Sequence, residues 1–248
     1  MRARPPLLPL ALLAVAVGPA RPRAAAAQTA TPAGAPAAAP AARPAGWRVA
    51  VDAGGVDSAL AFTAMAPGWH LVAGPGAVIY APSGGTGGRF TVESETFLFS
   101  SAVGTGVGVA LGIAPSARMP DHTAFVVGPD GRFRVTRRDP IGERALVPWT
   151  AHAAVARHPG GRANVRQRLA VRVAGDSVRF DVNGQTVAAL PRALVQPEGA
   201  VGLRVEPASD VHVGSLVLDG QNLAPVAPAA DARTGARPAA APRPGAPR

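Results

Sequence analysis

The chain of 248 residues contains no cysteine. It therefore cannot form disulfides, carry a lipid on a cysteine thiol or bind a metal through thiolates, and its fold must rest on the hydrophobic core. Lysine is absent as well, so a P-loop nucleotide site, which needs a lysine, is excluded. No apolar run reaches the roughly 20 residues that a membrane-spanning helix requires.

The net charge of +10 is carried by arginine alone and lies mostly near the ends of the chain. Between Trp47 and Asp219 there are 16 arginines and 14 acidic residues, which leaves a net charge of +2. The high contents of arginine, alanine, glycine and proline are typical of a GC-rich coding sequence. The charge is therefore not interpreted as a nucleic-acid surface, and no nucleic-acid partner is expected.

The first 27 residues have the three parts of a secretory signal peptide. Arg2 and Arg4 form a basic start, residues 7–17 are apolar, and Ala25 and Ala27 provide a small-residue cleavage site before Gln28. We therefore expect a secreted protein, periplasmic or extracellular, after cleavage near Ala27.

Two alanine- and proline-rich segments flank a single candidate domain. Residues 28–46 and residues 221–248 show no apolar periodicity, so we interpret them as a linker and a disordered tail. Residues 47–220 are long enough for one domain with a sizeable core.

The candidate domain is a series of short strands separated by turn residues. Runs such as WHLVAG, RFTVESETFLF and VRQRLAVRVAG are rich in β-branched and aromatic residues, whereas PRALVQPEG predicts one helical turn. In SVRFDVNGQTVAAL, Asn183 and Gly184 predict a type I′ hairpin turn, because both tolerate positive φ. On turn geometry alone, Asn183→Gly should be nearly neutral. The pattern predicts an all-β, antiparallel two-sheet jelly-roll sandwich.

Four stretches occur in an order that resembles concanavalin A-like, laminin-G-like jelly rolls of secreted bacterial proteins. They are WHLVAGPGAVIYAP with GRFTVESETFLF, then AFVVGPDGRFRVTRRD, then LAVRVAGDSVRFDVNGQTVAALP, and finally GAVGLRVEPASDVHVGSLVL. The resemblance is greatest to the group described as 3-keto-disaccharide hydrolases or family 16 glycoside hydrolase-like proteins. It implies the fold and a role connected with sugars, but this architecture hosts both enzymes and binding modules.

Glu93 and Glu95 are the candidate catalytic residues. Glycoside hydrolysis needs two carboxylates beside one bond, and these two residues share one face of a strand. The glucanases of this fold carry E-x-D-x-x-E, but the third acid is missing here, where Phe97 and Leu98 stand. The alternative is that one glutamate pairs with an arginine of a neighbouring strand while the other is solvated.

The candidate ligand-binding residues are Trp149, His152, Arg137, Arg134 and Tyr80. Three of them lie in or beside RALVPWTAHAAVARHPGG, which we predict to be a long irregular loop. Trp149 either stacks on a pyranose ring or closes one end of the sandwich.

Arginines alternate with core residues in several strands. Arg168 and Arg172, Arg179 and Arg204 are expected on outer sheet faces, either as solvated positions or as binders of glycans bearing carboxylate or sulfate. In GTGVGVALGI, glycine and alanine occupy one strand face, and the other face carries Thr105, Val107, Val109, Leu111 and Ile113. The bare face predicts close packing against a covering loop or a floor for a ligand.

The residues indicate no metal site and no cofactor, because the five histidines lack ligand spacing. We expect a non-catalytic carbohydrate-binding or interaction module, a monomer whose partner is a glycan or cell-surface polysaccharide. The alternatives are a glycoside hydrolase or 3-keto-glycoside hydrolase or lyase, and a structural domain with a protein partner.

Overall fold

The computed structural model describes residues 46–52, 55–115 and 119–223. The predicted signal peptide, the linker up to residue 45 and the tail from residue 224 lie outside these residues. In chain order the strands are β1 (Arg48–Val51), β2 (Leu60–Ala64), β3 (Trp69–Ala73), β4 (Ala77–Thr86), β5 (Phe90–Leu98), β6 (Val107–Ala114), β7 (Asp121–Val127), β8 (Arg132–Asp139), β9 (Gly142–Ala151), β10 (Val165–Ala174), β11 (Ser177–Val182), β12 (Gln185–Pro191), β13 (Gly199–Val205), β14 (Ser209–Leu218) and β15 (Gln221–Asn222).

The strands form two antiparallel sheets. The first has seven strands in the order β1-β4-β13-β6-β7-β8-β9, and the second has eight, with the order β12-β11-β10-β5-β14-β3-β2 and β15 paired to β14. A 3-10 turn (Asp57–Ala59) and the four-residue helix α1 (Arg192–Val195) are the helical elements of the described residues. The prediction of an all-β two-sheet sandwich is confirmed, and so is the helical turn.

The core lies between the sheets and is built from the inward-facing residues of the alternating strands. Phe125 of the first sheet contacts Phe180 of the second, with ring centroids 5.1 Å apart. Trp47, just before β1, meets Trp69 of β3 edge to face at the same separation. Buried aromatic pairs of this kind contribute about 0.5–1.5 kcal/mol beyond the area that they bury.

Local turn chemistry is as predicted at the β11–β12 hairpin. Asn183 has φ 49° and Gly184 has φ 83°, both positive, as a type I′ turn requires. The β14–β15 pairing is a departure from the expected boundary at residue 220. Leu223 donates a backbone hydrogen bond to Leu216 and packs on the core, so the sandwich extends to at least residue 223.

The bare face of β6 is explained by close backbone contact. A Cβ at Gly108 would lie 1.8 Å from the Phe125 carbonyl oxygen, so no side chain fits. The alternation was expected to continue through Ile113, but a register shift between Leu111 and Ala114 reverses it. Ile113 therefore packs with Val78 and Tyr80 in a second, smaller cluster, outside the core between the sheets.

The long loop predicted around Trp149 is shorter than expected. Residues Gly142–Ala151 form β9, the edge strand of the first sheet, so Trp149 lies in a strand and only the segment from His152 to Asn164 is irregular. The run RALVPW has strand character in the sequence, but an edge strand buries few side chains and Pro148 interrupts the apolar pattern, so the full strand is not evident.

Candidate functional site

The outer face of the second sheet carries charged residues on two adjacent strands. Along β5, Val92 and Ser94 point into the core and Glu93 and Glu95 point outward. Along β10 the same alternation places Arg166, Arg168 and Arg172 outward. Because β5 and β10 are paired antiparallel, with Glu95 opposite Arg168, the acids and the arginines share one surface.

These side chains line a groove of about 670 Å³ across β11, β10, β5 and β14. We call it the charged groove. Its ionisable lining residues are Glu93, Glu95, Arg166, Arg168, Arg172 and Asp181, and Ala170 and Val217 add apolar surface between them. The groove therefore combines hydrogen-bond donors and hydrogen-bond acceptors with a small apolar area.

Glu95 is the centre of an ion-pair network in this groove. Its Oε2 accepts hydrogen bonds from Arg166 Nε at 2.9 Å, from Arg166 Nη2 at 2.5 Å and from Arg168 Nε at 3.1 Å. Burial acts to raise the pKa of Glu95, but the hydrogen bonds from the two arginines outweigh it and bring the pKa below its usual value. Glu95 is therefore ionised at neutral pH.

A second ion pair, between Arg172 and Asp181, lies on the opposite side of the groove. Arg172 Nη1 is bonded to Asp181 Oδ2, and Thr186 donates a hydrogen bond of 2.7 Å to the other oxygen of the same carboxylate. Asp181 faces the groove because it alternates with the core residues Phe180 and Val182 along β11. Glu93 lies farther away, with its Oε1 3.8 Å from Arg172 Nη2, and its side chain is 56% exposed.

One arginine keeps donors free for a ligand. Among the described residues, the guanidinium of Arg168 donates a hydrogen bond through Nε only, and the side chain is 66% exposed. Its two terminal amino groups therefore face solvent at the groove. The hydrogen bond from Nε to Glu95 orients the guanidinium that carries them.

Aromatic and histidine side chains continue this face beyond Glu95. The ring of Phe97 packs against His212 at 5.7 Å, and Phe99 lies edge to face with His70 at 5.3 Å. His70 Nε2 is 2.9 Å from Asp210 Oδ1. Phe97 follows Glu95 on the outward face of β5, so the charged groove borders an aromatic side chain at this end.

The sequence-predicted ligand-binding residues lie on the first sheet or at its end, and the structure brings only two of them together. The guanidinium of Arg134 stands 5.0 Å from the centroid of the Trp149 ring. Arg134 Nη2 also donates a hydrogen bond of 2.8 Å to Glu206 Oε1. Trp149 is half-buried beside this pair.

The other three predicted residues are separate. Tyr80 is 2% exposed and packs in the small second cluster, so its ring is not available to a ligand. Arg137 is buried and donates to Gln196 Oε1 at 2.7 Å. His152 accepts a hydrogen bond from the Ala154 amide and lines a separate cavity of about 500 Å³.

Arg204 was expected on a solvated outer face but is buried. It makes a two-pronged contact with Asp52, at 2.7 and 2.6 Å, and its Nε lies 3.3 Å from Glu206 Oε1. Burial acts to raise the pKa of Asp52, but Arg204 lowers it below its usual value. The sequence pattern does not reveal this pair, because Asp52 and Arg204 are 152 residues apart in the chain.

Within the described ranges, no three histidine, aspartate or glutamate side chains come together as a metal site. No helix of the described residues is long and apolar enough to cross a membrane.

No protein-family model matches the chain, and no curated protein matches it in sequence. Solved structures match it in fold. The carbohydrate-binding module CBM66 from Bacillus subtilis aligns with a TM-score of 0.54 at 12% identity, over 70% of this chain and 95% of that chain. A Bacillus subtilis protein of unknown function with a galectin-like fold gives 0.52 at 10% identity, over 70% and 89%. A family 16 glycoside hydrolase of the mixed-linkage glucan locus of Bacteroides ovatus gives 0.50 at 6% identity, over 69% and 94%.

The chain has the concanavalin A-like jelly-roll fold. The predicted resemblance is thereby confirmed for the architecture, because at such identities the likeness concerns the fold alone. Function has to be argued from the groove and its residues.

Proposed function

We propose that this protein is a carbohydrate-binding module that holds a glycan in the charged groove. The observation that carries the proposal is the groove itself, where guanidinium and carboxylate groups held in ion pairs stand beside the apolar side chains of Ala170 and Val217. A sugar presents hydroxyl groups, which donate and accept hydrogen bonds, around an apolar ring face, and the groove matches both features. Its binding-module and glucanase neighbours share this fold, which is compatible with the proposal.

Pre-organisation supports binding at this surface. Arg168 and Arg166 are held by Glu95, and Arg172 is held by Asp181, so little side-chain freedom remains to be lost when a ligand arrives. Phe97, two residues after Glu95 on the same strand face, adds a half-buried aromatic ring near the groove.

Glycoside hydrolysis is the second candidate, because Glu93 and Glu95 lie on one face of a central strand within the groove. A general acid needs a raised pKa, whereas the pKa of Glu95 is lowered by two arginines. Glu95 could serve only as a nucleophile or base, and no described acid completes the E-x-D-x-x-E pattern. We therefore propose binding without hydrolysis.

The test is a binding screen of the full mature chain against soluble polysaccharides by affinity electrophoresis, with parallel assay of reducing sugar. Retardation by at least one glycan, without release of sugar, is expected. Arg168→Ala should weaken that binding about ten-fold, since hydrogen bonds to charged groups contribute about 1.5–3 kcal/mol. The matched control is Arg48→Ala, an exposed arginine on the first sheet.

Equal loss of binding in both variants would contradict the assigned location. Steady release of sugar by the wild type, abolished by Glu95→Gln, would replace the binding module by a hydrolase.

We also propose that the protein is exported and monomeric, with a glycan or cell-surface polysaccharide as its partner. The export proposal rests on the pattern of the first 27 residues. Intact mass of protein recovered from the cell envelope or medium should correspond to a chain beginning near Gln28. Light scattering on the same sample tests the monomer.

A further inference from the structure

The charged groove is balanced in charge. Arg166 and Arg168 both lie against Glu95, and Arg172 lies against Asp181 with Glu93 nearby. Three guanidinium groups thus face three carboxylates, although the chain as a whole carries a net charge of +10. A row of arginines on a basic protein would attract acidic sugars, and here that attraction is cancelled locally.

Glu95 is the carboxylate that both Arg166 and Arg168 contact. One of its oxygens, Oε2, receives the hydrogen bonds of two arginines, and its position on the central strand β5 places it between β10 and β14. An anionic sugar that approached Arg166 and Arg168 would meet the charge of Glu95 at the same point. Like charges brought together in a partly desolvated site are strongly unfavourable.

A neutral sugar meets no such repulsion. The free amino groups of Arg168 can donate to one hydroxyl oxygen, and Glu95 Oε1, for which the described residues hold no hydrogen-bond donor, can accept from a neighbouring hydroxyl. Because Arg168 and Glu95 are hydrogen-bonded to each other, this donor and this acceptor lie close enough to bind two adjacent hydroxyl groups of one sugar ring.

We infer that the charged groove selects neutral, polyhydroxylated sugars and that Glu95 is the specificity-determining residue that excludes sugars bearing carboxylate or sulfate. This inference rests on the proposed function, because it names the ligand class of the same groove.

The experiment compares short neutral and acidic oligosaccharides by calorimetry on the full mature chain. The neutral probes are laminari- and cello-oligosaccharides, and the acidic probe is a trigalacturonate, short enough to limit contact with the arginines of the C-terminal tail. Wild type should bind one neutral probe at least about ten-fold more tightly than trigalacturonate. Glu95→Gln keeps the shape of the side chain and removes its charge. It should lower the ratio of the affinity for the neutral probe to the affinity for trigalacturonate by about ten-fold or more.

The matched control is Glu198→Gln. Glu198 is also paired with an arginine, Arg192, and is exposed, but it lies outside the groove, so its replacement changes the net charge equally. The ratio of affinities should stay at the wild-type value in this control. If Glu95→Gln does not fold, Glu93→Gln, which removes a weaker contact with Arg172, should shift the ratio in the same direction by a smaller factor.

The outcomes separate the two proposals. Preference of the wild type for trigalacturonate, or an unchanged ratio in folded Glu95→Gln, overturns the inference and leaves a carbohydrate-binding groove. Absence of binding to every saccharide overturns the proposed function and the inference with it.

Discussion

The side-chain amide of Asn183 donates a hydrogen bond of 2.8 Å to the backbone carbonyl of Ala154, 29 residues earlier in the chain. The same amide donates to Gln167 Oε1 at 2.9 Å, and Asn183 Oδ1 accepts from the backbone amide of Arg168. A hairpin turn is thereby attached to the irregular segment after β9 and to the strand that carries the arginines of the charged groove.

We predict that Asn183→Gly destabilises the fold by about 1–3 kcal/mol, because it leaves the carbonyl of the buried Ala154 without a donor and removes one of the two donors to Gln167 Oε1. The expectation from turn geometry, that this change is nearly neutral, overlooked the side chain. Asn183→Asp keeps the acceptor but places a carboxylate oxygen against the carbonyl oxygens of Ala154 and Gln167, so it should cost at least as much as Asn183→Gly. Urea midpoints compare the two, and equal midpoints for wild type and Asn183→Gly would disprove the tethering role.

Gly184→Val should cost more than about 1 kcal/mol. At φ 83° a β-branched residue is strained, and the cost is conformational because a Cβ there meets no atom within 4 Å. Gly87→Val is the control, since Gly87 has equally open surroundings without a positive φ. Similar losses in both variants, measured by thermal denaturation, would contradict this explanation.

Arg204→Met should be among the most damaging single changes, at about 3–5 kcal/mol. It leaves Asp52 and Glu206 as neighbouring carboxylates without their shared cation, and Glu206 is 3% exposed. Arg179→Met, at an exposed position on β11, should change the unfolding free energy by no more than about 0.5 kcal/mol. A loss below about 1 kcal/mol for Arg204→Met would mean that the cluster is not structurally important.

The free energy of unfolding should decrease as the pH is lowered below neutrality, partly because of His122. Burial lowers its pKa from 6.5 to about 4, and Arg204, Arg138 and Arg137 act in the same direction. Between these two values the unfolded chain binds a proton that the folded chain does not, so acidification favours unfolding. Each pKa unit corresponds to about 1.4 kcal/mol, so His122 should lower the free energy of unfolding by about 3 kcal/mol when the pH has fallen to about 4.

The variant His122→Asn tests that assignment. Its amide can replace Nδ1 in the hydrogen bond with the Pro120 carbonyl, but it does not titrate. Urea unfolding from pH 8 to pH 4.5 should show a shallower loss of stability than in the wild type. His212, whose pKa burial also lowers, accounts for part of what remains. Identical pH profiles would exclude His122 as a contributor.

Features that depend on neighbours along the chain were predictable from the sequence. Alternation at period two assigned Glu93 and Glu95 to one face of β5, and Asn183-Gly184 specified its turn through the φ angles that these residues tolerate. The rows of arginines opposite core residues were visible for the same reason. Composition alone excluded disulfides and a lysine-based nucleotide site.

Pairings between distant strands were decided by the tertiary structure. Glu95 meets Arg166 across 71 residues and Asp52 meets Arg204 across 152, and both contacts depend on strand order and register. Alternation determines which face a side chain occupies but contains no information about the strand beside it. Only packing of the two sheets, which sets that order and places the register shifts, brings these charges together in a groove and in a buried cluster.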